Sequence, residues 1–199
     1  MRYPYIFILA LFLGLNAYAQ DSFEKAVFKP GNPTAFLAKA FTTLSGLQNK
    51  GSGTIIISFT LTKNGQIKNT FPVQFDTQKN AVNAILAIQK TNGLWTVTRD
   101  NGKSIDKKYK ISFNFLSPNS SYELDVKMAD KFSEKKQFKQ ALKYYNRAIK
   151  SNKNEAFLYL KRAEVRYALE DMDGLKSDYL KCKALQKEFL VNVQLGLVK

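Results

Sequence analysis

Residues 122–155, YELDVKMADKFSEKKQFKQALKYYNRAIKSNKNE, run directly into residues 156–189, AFLYLKRAEVRYALEDMDGLKSDYLKCKALQKEF, and the two stretches repeat one pattern at a period of 34. In the first, Ala129, Phe132, Ala141, Tyr145 and Ala148 place small and aromatic side chains on two short helices. In the second, the same positions hold Ala163, Arg166, Leu175, Tyr179 and Cys182. Ala129/Ala163, Tyr145/Tyr179 and Ala148/Cys182 keep residue type or size. A fixed period of this length with a helix–turn–helix rhythm marks a stacking unit, which more often binds than catalyses.

The spacing predicts helices over Tyr122–Glu134 and Phe138–Ser151, hinged at Lys135-Lys136-Gln137. It then predicts Ala156–Leu169 and Gly174–Ala184, hinged at Glu170-Asp171-Met172-Asp173. The run Asp171-Met172-Asp173-Gly174 lacks the spacing and distal glutamate of a calcium loop, and reads as a turn. The two copies resemble tetratricopeptide (TPR) repeats. That resemblance implies a concave groove lined by the first helix of each repeat: Glu123, Val126, Asp130, Ser133 and Glu134, then Phe157, Leu160, Glu164 and Tyr167. Such a face, acidic and aromatic in a basic chain, suits a partner segment with lysines or arginines and an apolar anchor. In the competing reading Phe157 and Leu160 pack on the tail helix or on the sheet domain. Two repeats are fewer than a solenoid usually needs. The tail from Glu188 to Lys199, with Phe189, Leu190, Val193, Leu195 and Leu197, is therefore expected to be a capping helix.

Upstream the period changes to two. Residues 54–61 alternate, placing Ile55, Ile57, Phe59 and Leu61 on one face of a half-buried strand. Asn64-Gly65 predicts a hairpin, and the return strand runs from Gln66 to about Phe75, with Pro72 implying an exposed or irregular stretch. Thr77–Lys90 reads as an amphipathic helix, with Ala81, Ala84, Ile85 and Ile88 on its apolar face and Asp76 or Thr77 at its start. Trp95 sits in a loop and Asn101-Gly102 in a turn. A last strand, Lys108–Leu116, alternates Tyr109, Ile111, Phe113 and Phe115 with polar residues.

This ordered set (Gly53-x-Ile55-x-Ile57-x-Phe59, Asn64-Gly65-x-Ile67, the helix around Ala81–Ile88, Trp95, Gly102, and Tyr109-x-Ile111-x-Phe113-x-Phe115) resembles the TonB C-terminal domain. More closely, it is similar to TonB-like domains of exported proteins in Gram-negative Bacteroidota. The resemblance covers about residues 32–116 and makes Pro33–Leu47 a helix before the first strand. It also implies an open last strand to which a partner segment can add, presenting Lys108, Lys110, Ser112 and Asn114. The alternative is an edge guarded by Lys107, Lys108 and Lys110.

The expected fold class is thus α+β: a small three-stranded antiparallel sheet with helices over 32–116, a linker at 117–121, an all-α repeat domain over 122–189, and a capping segment at 190–199. Residues 1–19 read as a signal peptide, with Arg2, an apolar run from Tyr5 to Leu15, and Ala17-Tyr18-Ala19 before the cut. A membrane anchor is the competing reading, for which the apolar run is only about half the ~20 residues required.

Histidine is absent and Cys182 is the single cysteine. Histidine-dependent acid–base chemistry, Ser-His-Asp triads, histidine metal sites and intramolecular disulfides are thereby excluded. Cys182 is expected to be a small buried residue. The formal net charge of +15 is spread over both halves of the chain, so no nucleic-acid partner is expected. Its two readings are a solvated lysine surface and attraction to an anionic partner, including peripheral membrane contact. No cofactor, metal or catalytic residue is expected. Ser104-x-x-Lys107 and Ser133-x-x-Lys136 match a serine acyl-enzyme pattern without its companion motifs. The function expected is an exported, non-enzymatic adaptor of the cell envelope, periplasmic, secreted or membrane-associated, that binds protein partners. The alternative is a TonB-type energy-transduction or transport accessory protein, although five prolines in all leave no long proline-rich spacer.

Overall fold

The computed structural model describes residues 23–45, 53–116 and 121–196. The expected signal peptide, most of the linker, the end of the first helix at Leu47, and Leu197 lie outside the described residues. The protein is α+β, with helices α1 (Pro33–Ser45), α2 (Gln78–Gln89), α3 (Tyr122–Glu134), α4 (Phe138–Ser151), α5 (Ala156–Ala168) and α6 (Met172–Glu188). The strands are β1 (Gly53–Leu61), β2 (Ile67–Gln74), β3 (Thr98–Asp100), β4 (Lys103–Ile105), β5 (Lys107–Leu116) and β6 (Phe189–Gly196). β3 and β4 form a small hairpin turned by Asn101 and Gly102, both at positive φ (49° and 74°).

The main sheet has the order β2-β1-β5-β6. β1 pairs antiparallel with β2 and β5, as the alternation predicts, whereas β6 runs parallel to β5. Here the expectation fails twice. The sheet has a fourth strand, and that strand is the tail expected to be a capping helix. The reason is its own alternation. Val191, Val193 and Leu195 pair with Ile111, Phe113 and Phe115 on one face, while Asn192 and Gln194 meet Ser112 and Asn114 on the other. A parallel pair needs a long crossover, and α3–α6 supply it. The four helices are therefore an insertion between two strands of one sheet.

One sheet face carries Ile55, Ile57, Phe59, Leu61, Tyr109, Ile111 and Phe113, all fully buried beneath α1 and α2. Phe41 of α1 packs its ring 5.2 Å from Phe113 and 5.5 Å from Phe115. α2 lies towards β1 and β2, and α1 towards β6. Thr77 is the cap of α2, accepting from the Asn80 N–H at 3.2 Å. Trp95 sits in the loop after α2, as expected, and is buried there. Its Nε1 donates to Thr91 Oγ1 at 2.9 Å, and Phe28 packs 4.9 Å away from the ring. Residues 24–29 reach this position by pairing along 94–99. The hairpin at Lys63-Asn64-Gly65 uses left-handed φ at Gly65 alone (75°), closing a three-residue loop in place of the two-residue turn that Asn-Gly suggests.

β1 is not half-buried. Ile56 and Ser58 on its second face are buried as well, because that face lies against the inserted helices. Ile56 and Phe189 join their core with Ala129, Ala141, Tyr145, Ala148, Leu158, Val165, Cys182 and Leu185. Cys182 is buried, as its repeat position predicts. The period of 34 is visible in the backbone itself. Lys135, Lys136 and Gln137 donate to the carbonyls of Lys131, Ser133 and Phe132. Leu169, Glu170 and Asp171 donate in the same way to Val165, Tyr167 and Arg166. Lys136 and Glu170 share the left-handed φ (58° and 60°) that turns each hairpin. α6 starts earlier than expected because Asp171 caps it, accepting from the Gly174 N–H at 2.9 Å. A Cβ on Gly174 would stand 2.1 Å from that carboxylate, so a larger residue there would have to displace the capping side chain. Asp178, buried on α6, accepts from Arg162 Nε at 2.8 Å and lies 3.3 Å from Arg166 Nη1, pinning the second hairpin.

Candidate functional site

The sheet edge named from the sequence does not exist as an edge. Lys108, Lys110, Ser112 and Asn114 stand on β5, between β1 and β6. Lys108 reaches over the Phe71 ring at 4.8 Å, and Lys110 pairs with Glu188. The other two belong to a chain of hydrogen bonds crossing the sheet. Thr54 Oγ1 donates to Asn114 Oδ1 (3.0 Å), Asn114 Nδ2 to Ser112 Oγ (3.2 Å), Ser112 Oγ to Asn192 Oδ1 (2.5 Å), and Asn192 Nδ2 to the Asn154 carbonyl (2.9 Å). β1, β5 and β6 contribute their polar alternate residues, and the chain ends in the turn between α4 and α5. A connected polar layer of this kind fixes register between the layers it joins.

That turn borders a groove. Tyr122, Glu123, Val126 and Lys127 of α3 face Glu155, Phe157 and Leu158 at the start of α5 across a volume of about 310 Å³. Three residues expected from the repeat, Glu123, Val126 and Phe157, are brought together there. The others are not. Asp130 lies further along α3 and accepts from the Tyr145 hydroxyl at 2.5 Å. Ser133 and Glu134 are at the far end of that helix. Leu160 packs into the helical core. Glu164 is exposed and pairs with Lys161 at 3.3 Å, and Tyr167 is exposed near the end of α5.

Tyr122, Lys127, Glu155 and Leu158 were missed. The signal for Tyr122 lies in the repeat, where its counterpart is Ala156. Nothing local in the sequence marks Glu155. Its carboxylate is enclosed by the Phe157 N–H and the Gln194 side chain of β6, and burial still pushes its pKa above the ordinary value. Burial first, and then the negative charge of Glu155, push the Tyr122 phenol up to about 12. Near neutral pH Tyr122 is thus an uncharged donor beside two carboxylates, Glu155 and Glu123. The groove offers an apolar lining with two carboxylates, Glu123 and Glu155, and one ammonium, Lys127, around it, which suits holding an apolar side chain next to a cation.

Ser104 is exposed on β4 and Lys107 begins β5, while Ser133 is on α3 and Lys136 in its turn. Among the described residues there is no group of three or more histidine, cysteine, aspartate or glutamate side chains placed to hold a metal ion, and no helix long and apolar enough to cross a membrane. Compared with known proteins, the chain matches no family model, no curated sequence and no solved structure.

Proposed function

We propose that this protein is an exported, non-enzymatic adaptor of the cell envelope that holds a segment of a partner protein between α3 and α5. In this reading the sheet unit is a TonB-like module and the inserted hairpins are tetratricopeptide repeats. The observation that carries it is the groove, where Val126, Phe157 and Leu158 make an apolar wall and Glu123, Glu155 and Lys127 are the charged residues of the lining. Phe157 is 48% exposed, with the Lys161 ammonium over its ring at 5.6 Å. The ligand that fits is a short segment with an apolar anchor and a neighbouring lysine or arginine. Strand addition at β5 forms no part of the function, since β6 fills that position.

Selection of a random peptide library on the full chain tests this. The enriched peptides pair a basic residue with an apolar one, and Phe157→Ala weakens the best of them by about tenfold or more, as loss of an aromatic anchor does. Peptides whose affinity is indifferent to both Phe157→Ala and Glu155→Gln would remove the groove from the function.

A further inference from the structure

β6 leads the chain towards the groove. On the second face of the sheet Asn192 donates to the Asn154 carbonyl at 2.9 Å, and Gln194, one step further along the strand, meets the Glu155 carboxylate. Glu155 lines the groove and lies beside Tyr122 of α3, which lines it too. The next position on that face is Gly196, paired with Leu116 at the end of β5. Leu197, Val198 and Lys199 follow it in the sequence, outside the described residues. A stretch of that length spans up to about 10 Å, against about 6.6 Å for each two-residue step of the strand.

We infer that Leu197-Val198-Lys199 occupies the groove while no partner does, so that the chain covers its own docking site. This rests on the groove being the site proposed above, and adds how access to it is regulated. The segment has the chemistry that the site accepts. Two neighbouring apolar side chains match the lining of Val126, Phe157 and Leu158, and the ammonium next to them matches the carboxylates of Glu123 and Glu155. Position selects this occupant as well. A segment tethered so close to Glu155 has an effective concentration in about the millimolar range, which a free segment has to overcome. A partner therefore binds by displacing residues 197–199, and its apparent affinity falls with the fraction of molecules whose groove is covered.

Amide NMR spectra of the full chain and of a chain ending at Gly196 test it. Removing residues 197–199 should shift the amides of Glu123, Val126, Phe157 and Leu158, while those of β1 and β2 stay in place and show that the fold is intact. Lys199→Glu should move the same groove amides in the same direction, because it sets a carboxylate against Glu123 and Glu155. Acetyl-Gly-Leu-Val-Lys-amide at about 1 mM should restore the full-chain shifts in the shorter chain and act several-fold more weakly on the full chain. Groove amides unmoved by both the truncation and Lys199→Glu would overturn the inference, as would an equal response of the two chains to the peptide. Shifts that appear only as protein concentration rises would place a second copy's segment in the groove and overturn it too. Failure here is distinct from failure of the proposed function. Library peptides that bind both chains equally well would remove the self-docking and keep the groove. Truncation-dependent shifts with no library peptide enriched on either chain would keep the self-docking and remove the partner.

Discussion

Glu155 joins the groove to the sheet. Its carboxylate is held by an N–H of α5 and a side chain of β6, in surroundings dry enough to raise its pKa. A carboxyl whose folded pKa is raised binds its proton more tightly in the folded chain than in the unfolded one. The stabilisation from the protonated form is complete below the unfolded value, about 4.3, and is lost as pH rises through the folded one. Glu155→Gln keeps an acceptor oxygen without the charge. It should therefore be more stable than the wild type at pH 7, with the difference shrinking towards pH 4. Urea denaturation at a series of pH values checks this, and a difference that does not vary with pH would contradict it. The same residue shows why a cation suits the groove: an ammonium or guanidinium group beside it favours the ionised form that burial opposes. None of this was legible at Glu155, because Gln194, whose side chain hydrogen-bonds its carboxylate, is 39 positions away in sequence. Cys182 and Tyr145 were legible, since the repeat alone sets their depth.

At the scale of elements, the hairpins show how far a period can be read. Helices α3 and α4 begin and end as the spacing predicts, and the paired turns repeat hydrogen bond for hydrogen bond. β6 shows the opposite. Val191, Val193 and Leu195 alternate with Asn192 and Gln194, a strand pattern in plain sight. The repeat frame made the tail look like a capping helix, and parallel pairing across an inserted four-helix crossover leaves no local trace. The strand's importance can be measured. A chain ending at Glu188 should lose hydrogen-exchange protection at the amides of residues 111–115 by about tenfold or more, because β5 becomes an unpaired edge with its apolar row uncovered. Protection at wild-type level would mean that the three antiparallel strands suffice alone.

For the whole molecule, the expected arrangement of two modules in series becomes one module inserted into another. The chain of side-chain hydrogen bonds from Thr54 to Asn154 crosses the sheet and ends next to the groove. Two hairpins are few for a free-standing repeat array, and here the sheet's second face supplies part of their core through Ile56 and Phe189. The groove is thereby held at a fixed position relative to the sheet. Site-specific photocrosslinking in the native cell bears most directly on the central claim, that the space between α3 and α5 receives a partner segment. A photoreactive phenylalanine analogue at position 157 should yield one discrete protein adduct in the envelope fraction, while the same analogue at exposed Leu180 on α6 should yield none. No adduct from position 157, or the same adducts from both positions, would contradict the claim.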